Sequence, residues 1–158
     1  MRRPRIRKLG LPLKAAFAPQ PPEFPDAPPP THAQQAGLNY ERAVIKKLTK
    51  LFDKVQPHPW IVYSASNCRG ICQPDALVLL PDDHLLIVEI KLSHVREARN
   101  KLVHFYKPLV EYLYPTKTVT CLQIYKNSRR YAHKHPLNIY SLEDTLKKGR
   151  YHECHFVG

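Results

Sequence analysis

Apolar positions along this chain recur with distinct periods. In GLNYERAVIKKLTKLF, residues 37–52, Leu38, Val44, Ile45, Leu48, Leu51 and Phe52 return at helical spacing and predict an amphipathic helix. WIVYSA, 60–65, is short, aromatic and β-branched, the composition of a strand. Two apolar runs, 75–80 and 84–91, are parted by Pro81, Asp82 and Asp83 and predict a hairpin. HVREARNKLVHFYKPLVEYLY predicts a second helix with Val95, Ala98, Leu102, Tyr106, Leu109 and Leu113 along one side. Pro108 should bend or interrupt it, since proline lacks the N–H that a helix interior uses. TVTCLQIY, 118–125, is a further strand and LNIY a weaker one. SLEDTLKKG has Ser141 as cap and Gly149 past its end, which predicts a closing helix. The order αβββαβ, with a late strand and helix, predicts an α/β fold: a small mixed β-sheet flanked by helices.

Before residue 37 this patterning stops. Nine of the sixteen prolines lie in the first thirty positions, and PPEFPDAPPP cannot bury enough apolar surface to offset the entropy of ordering it. Residues 1–36 therefore read as a disordered or extended arm, and 37–158 as a single domain. The arm opens with MRRPRIRK, five positive charges in eight residues. Arg2, Arg3 and Arg5 are candidates for following phosphates; a nuclear or organellar address and a solvated tail are the other readings. A transit peptide is disfavoured because Pro4 and Pro12 interrupt its amphipathic helix.

Charge adds a partner. The 25 Lys and Arg against 13 Asp and Glu leave a formal +12, which points to a polyanion, nucleic acid first and acidic membrane surfaces second. No run approaches the ~20 apolar residues of a membrane helix, so the expectation is a soluble, intracellular protein, with nuclear and organellar compartments open. KNSRRYAHKHP, 126–136, gathers Lys126, Arg129, Arg130 and Lys134 around Tyr131, a mixture suited to backbone contact and base stacking or to a solvated loop. The four cysteines, 68, 72, 121 and 154, read as reduced thiols.

The chemistry concentrates in the hairpin. With a three-residue loop, Leu80 faces His84, and counting back places Asp75 opposite Glu89 on one face, with Lys91 two residues further along that face. The other face, Ala76, Val78, Leu80, Leu86, Val88 and Ile90, is wholly apolar. A two-residue loop would break this pairing. Facing carboxylates repel, and a divalent cation between them removes the conflict. Mg²⁺ often takes only one or two protein carboxylates besides water and phosphate oxygens, so Asp75 with Glu89 makes a suitable half-site. Lys91 would then orient or help deprotonate water, or stabilise charge on phosphate. The competing reading is a structural Asp, Glu and Lys network. Glu41 falls on the inward face of the first helix, where a carboxylate is uncommon unless paired or metal-bound; a wet position in the first turn is its alternative.

These residues resemble the PD-(D/E)xK nucleases of the restriction-endonuclease-like superfamily. Pro74 and Asp75 are followed by thirteen residues and then Glu89, Ile90 and Lys91, with Glu41 on a preceding helix and the αβββαβ order over about 37–125. The resemblance implies that Asp75, Glu89 and the carbonyl of Ile90 hold Mg²⁺ or Mn²⁺, that Lys91 acts on the water, and that Glu41 supports a metal. It implies hydrolysis of phosphodiester bonds in DNA. Many relatives cut as pairs, so a homodimer is a further expectation. RecB-like relatives place Gln and Tyr four apart on the next helix; this chain has Asn100, Lys101 and Tyr106 there, without that Gln. The rival functions are a non-catalytic nucleic-acid-binding protein on the same fold and an RNA-directed nuclease. Cys68 and Cys72, with His152, Cys154 and His155, form an alternative zinc set. His94 and Gln73 are candidates for touching substrate or solvent, with plain surface roles as their alternatives.

Overall fold

In a computed structural model the chain is described at residues 8–19, 27–127, 137–139, 142, 146 and 150–157. In chain order the elements are β1 (Lys14–Phe17), α1 (His32–Leu51), β2 (Lys54–Pro57), β3 (Ile61–Ser64), β4 (Arg69–Cys72), β5 (Ala76–Leu80) and β6 (His84–Ser93). There follow α2 (Arg96–Lys101), a π-helical turn (Leu102–Tyr106), α3 (Lys107–Leu113), β7 (Thr118–Asn127), β8 (Leu137–Asn138) and β9 (Tyr151–His155). Residues 85 to 90 of β6 are all buried, and a strand enclosed on both faces needs cover on both. That requirement organises the molecule.

β6 lies inside a six-stranded sheet of order β2-β5-β6-β7-β9-β8, while β1, β3 and β4 form a separate three-stranded sheet. β2 and β5 run antiparallel to their neighbours, whereas β7 and β9 continue parallel to β6. The fold is thus the expected small mixed α/β sheet with helices on its faces. On one face Tyr40, Val44 and Leu48 of α1 pack on Ala76, Val78, Leu86, Val88, Ile90, Leu122 and Ile124. On the other, Leu102, Tyr106 and Val110 pack on Leu77, Leu85, Ile87, Val119 and Cys121, together with Ile61 of the small sheet. The alternation along β6 sends Ile87 and Glu89 to this second side and Val88 and Ile90 to the α1 side.

The first helix differs in detail from its periodicity. It starts at His32, capped by Thr31, whose hydroxyl accepts from the Gln34 amide while Gln34 Oε1 accepts from the Thr31 amide. This reciprocal cap, not the first apolar residue, sets the boundary. The buried row is Tyr40, Val44 and Leu48; Leu38 and Leu51 are 39% and 37% exposed. Tyr40 belongs inside because its hydroxyl donates to the Phe156 carbonyl at 2.7 Å. The arm also departs from expectation in part. Lys14–Phe17 pairs antiparallel with β3, and Leu9 is buried, so this portion of 1–36 adds a strand to the fold. β2, β4 and β9, all short, are strands that the periodicity did not predict. The closing helix over 141–149 lies outside the described residues except for Leu142 and Leu146, both buried.

Pro108 does not end the helical segment. Instead the chain passes through the π-helical turn, where the Lys107 amide reaches back five residues to the Leu102 carbonyl, and Pro108 falls in the first turn of α3. A missing N–H is harmless there. Among the described residues no helix is long and apolar enough to cross a membrane. Leu48→Ala should lower unfolding free energy by about 2–5 kcal/mol, since it opens a cavity under α1. Leu38→Ala should stay within about 0.5 kcal/mol; urea denaturation of the two variants measures the contrast.

Candidate active site

The hairpin has the register that the three-residue loop requires: Leu80 pairs with His84, and the ladder continues to Ala76 opposite Val88. Asp82 and Asp83 close the loop at φ 62° and 58°, the left-handed region that short polar side chains tolerate. One step past the ladder, Asp75 stands opposite Glu89. Asp75 Oδ2 accepts the Ile90 amide at 2.6 Å, so the carboxylate completes the edge of β6 where β5 leaves the sheet. A strand residue presents its N–H and C=O on the same edge, so the Ile90 carbonyl opens beside Asp75.

Glu89 is the centre of the site. Its side chain is 0% exposed, and Oε1 is held by Lys91 Nζ at 2.8 Å and Lys101 Nζ at 2.9 Å. Oε2 is buried without a hydrogen-bond partner among the described residues. A buried, unsatisfied carboxylate oxygen is costly. The lysines are 34% and 36% exposed, so the site opens on their side. Burial alone would lower the Lys91 pKa, but the charge and hydrogen bond of Glu89, then Asp75 and Glu41, hold it above the ordinary lysine value. Lys91 is therefore a firmly held ammonium. Asp75 moves the other way: burial first, then Glu89 and more weakly Glu41, against the Ile90 amide and Lys91, raise its pKa from 3.8 to about 7.

Glu41 sits well inside α1, so the first-turn explanation for it fails. It lies 3.4 Å from His58 Nε2 and close enough to Asp75 and Lys91 to influence both electrostatically. His58 was not singled out in the sequence. It adopts φ 49°, its amide donates to the Asp75 carbonyl at 3.0 Å, and its own carbonyl accepts from Gln73 Nε2 at 3.0 Å. A non-glycine residue in this conformation stores roughly 1–3 kcal/mol of strain, and such strain gathers at functional sites. Gln73 thus holds a loop rather than facing solvent, and the Tyr106 hydroxyl secures Gln73 by donating to its carbonyl at 2.9 Å.

Lys101 is the other site residue that sequence reasoning left without a role. In a regular α-helix residues five apart point in widely different directions, at about 100° per residue. The π-helical turn between them adds a residue and brings Lys101 Nζ over the Tyr106 ring, 4.9 Å from its centroid. The signal was Pro108, whose missing N–H makes a wider turn ahead of it favourable.

The remaining candidates separate. Cys72 packs in the core on the helix side and Cys154 in the core under α1, on opposite faces of the sheet, and burial pushes both thiols up to about 12. They cannot share a zinc ion. His94 is no surface residue: its side chain is 6% exposed and 2.9 Å from Glu153, which also accepts from the Tyr151 hydroxyl. His155 Nε2 lies 2.7 Å from the Lys126 carbonyl. Lys126 lies near the end of β7, while Arg129, Arg130, Tyr131 and Lys134, and likewise Arg2, Arg3 and Arg5, lie outside the described residues. Among the described residues no three His, Cys, Asp or Glu side chains are gathered as a metal cluster. No family model, curated protein or solved structure matches the chain.

The raised Asp75 pKa has a defined effect on stability. The folded state holds this proton more tightly than the unfolded chain, so the contribution is complete below about pH 4 and is lost as pH rises through about 7. Asp75→Asn keeps an acceptor for the Ile90 amide and removes the titration. Its melting temperature relative to wild type should climb between pH 4 and pH 7; a flat difference would refute the placement.

Proposed function

We propose that the chain is a metal-dependent nuclease that hydrolyses phosphodiester bonds in DNA. The observation that carries this reading is the buried, unpartnered Oε2 of Glu89 beside Asp75, on facing strands and at an opening lined by lysines. The donors available there, two carboxylates and the Ile90 carbonyl, are hard oxygens. They fit Mg²⁺ or Mn²⁺, which commonly takes only one or two protein carboxylates. A divalent cation held by Asp75, Glu89 and the Ile90 carbonyl would supply Lewis-acid polarisation of the phosphodiester and a more acidic water.

The chain's own residues divide the remaining tasks. Asp75, tied to the Ile90 amide, is oriented before any ligand arrives. Lys91, held as an ammonium by three carboxylates, serves as a donor and positive charge toward phosphate rather than as a base. Glu41 with His58 closes the side of the site toward α1. In the net reaction a water oxygen bonds to phosphorus, the bond to the leaving oxygen breaks, and the leaving oxygen gains a proton. The formal +12 favours a polyanionic substrate.

A second reading has one observation of its own. Glu89 already neutralises lysines on Oε1, as a structural ion network would, and a non-catalytic nucleic-acid-binding protein would use it so. One assay separates the two. Wild type should cut end-labelled DNA only with Mg²⁺ or Mn²⁺, and Asp75→Ala or Glu89→Gln should slow cutting by at least about a hundredfold while oligonucleotide binding in Ca²⁺ persists. Matched RNA and DNA substrates in the same assay fix the sugar preference, and unimpaired cutting by Glu89→Gln would refute the site.

A further inference from the structure

We propose that Lys101 is a second phosphate-binding cation of this site, whose ammonium passes from Glu89 to a non-bridging oxygen of the scissile phosphodiester when substrate binds. The inference rests on the nuclease reading above. It starts from an asymmetry: both ammonium groups sit on Glu89 Oε1, at 2.8 Å and 2.9 Å, while the equally buried Oε2 has no partner among the described residues. One lysine suffices to neutralise one carboxylate. A network built only for stability would spread its donors over both oxygens, because each unsatisfied buried acceptor costs free energy. On Glu89 itself the second ammonium exceeds what a single carboxylate requires, and it places a positive charge at the mouth of the site.

Its mounting supports that role. The side chain of Lys101 is 36% exposed, whereas Glu89 is fully enclosed, so the ammonium is the part of the pair that an incoming anion meets. The ammonium lies over the Tyr106 ring, 4.9 Å from its centroid, and the Tyr106 hydroxyl is anchored on Gln73. A fixed aromatic face thus holds the cation beside Glu89 at the opening. Charge accounting agrees. With all three carboxylates ionised, as a bound dication requires, Asp75, Glu89 and Glu41 with Lys91 and Lys101 leave one net negative charge; a dication and a phosphodiester bring the complex to neutrality. Without Lys101 the same partly buried complex would carry a net negative charge just where further negative charge develops on phosphate.

The test uses the full chain with Lys101→Met and Lys101→Arg, and labelled single-stranded and duplex DNA oligonucleotides as probes. In Mg²⁺, Lys101→Met should cut on the order of a hundredfold more slowly, and Lys101→Arg should recover most of the loss. In Ca²⁺, fluorescence anisotropy over a salt series should show weaker binding, with a slope of log affinity against log salt smaller by about 0.7–0.9, one phosphate contact. In EDTA, where Lys101 stays on Glu89, binding should equal wild type. Should Lys101→Met melt early, Lys101→Gln carries the same expectations. Wild-type cutting and an unchanged Ca²⁺ slope in the variant overturn the role of Lys101 alone, as do equal binding losses in Ca²⁺ and EDTA. A wild-type chain that cuts no DNA with either metal overturns the nuclease reading, and this inference with it.

Discussion

The burial of Glu89 constrains everything around it. A carboxylate with no solvent exposure, in a largely apolar strand, is tolerable only if its surroundings supply compensating charge. β6 cannot shed it to an edge, because β5 and β7 flank that strand on both sides. Lys91 comes from the same strand two residues on, and Lys101 from the helix that follows. What they leave undone is Oε2, buried without a hydrogen-bond partner among the described residues.

The path from sequence to that arrangement runs through backbone details more than through motif letters. Pro108 favours a wider turn ahead of it; the turn stacks Lys101 on Tyr106; Tyr106 holds Gln73; and Gln73 holds His58 in its left-handed conformation next to Asp75. Each link is an ordinary hydrogen bond or ring contact. Their sum joins α1, the β2–β3 connection, β5, β6 and the second helical segment at one end of the sheet.

This explains which parts were legible beforehand. The hairpin register could be counted because side-chain direction alternates strictly along a strand and Pro-Asp-Asp suits a three-residue loop, so Leu80 faces His84 and Ala76 faces Val88 as counted. The inward flank of Glu41 followed from helical period. β2, β4 and β9 escaped notice because runs of four or five residues with mixed polarity carry too few periods to announce a strand. Cys154 looked like a ligand in HECH; only the burial of β9 beneath the α1 core shows that it is packing. The role of His58 depends on a positive φ set by tertiary packing, and that of Lys101 on a π-helical turn of which Pro108 is the trace in the sequence.

The placement of α2 closes the argument, because a lysine can serve Glu89 only if its helix is fixed at both ends. Val95 supplies no capping side chain; instead the buried amide of Gln123 accepts the Val95 N–H at 2.9 Å and donates to the Val95 carbonyl at 3.0 Å and to the Tyr151 hydroxyl at 2.8 Å. Gln123 is the register partner of Glu89 on β7, and Glu153 is the register partner of Gln123 on β9. One polar row therefore crosses the parallel part of the sheet on the helix side. It fixes the start of α2 at Gln123 and receives its end, through Lys101, at Glu89. α2 is thus tied to a single row at both termini, and the lysine side chains are the groups that face the opening.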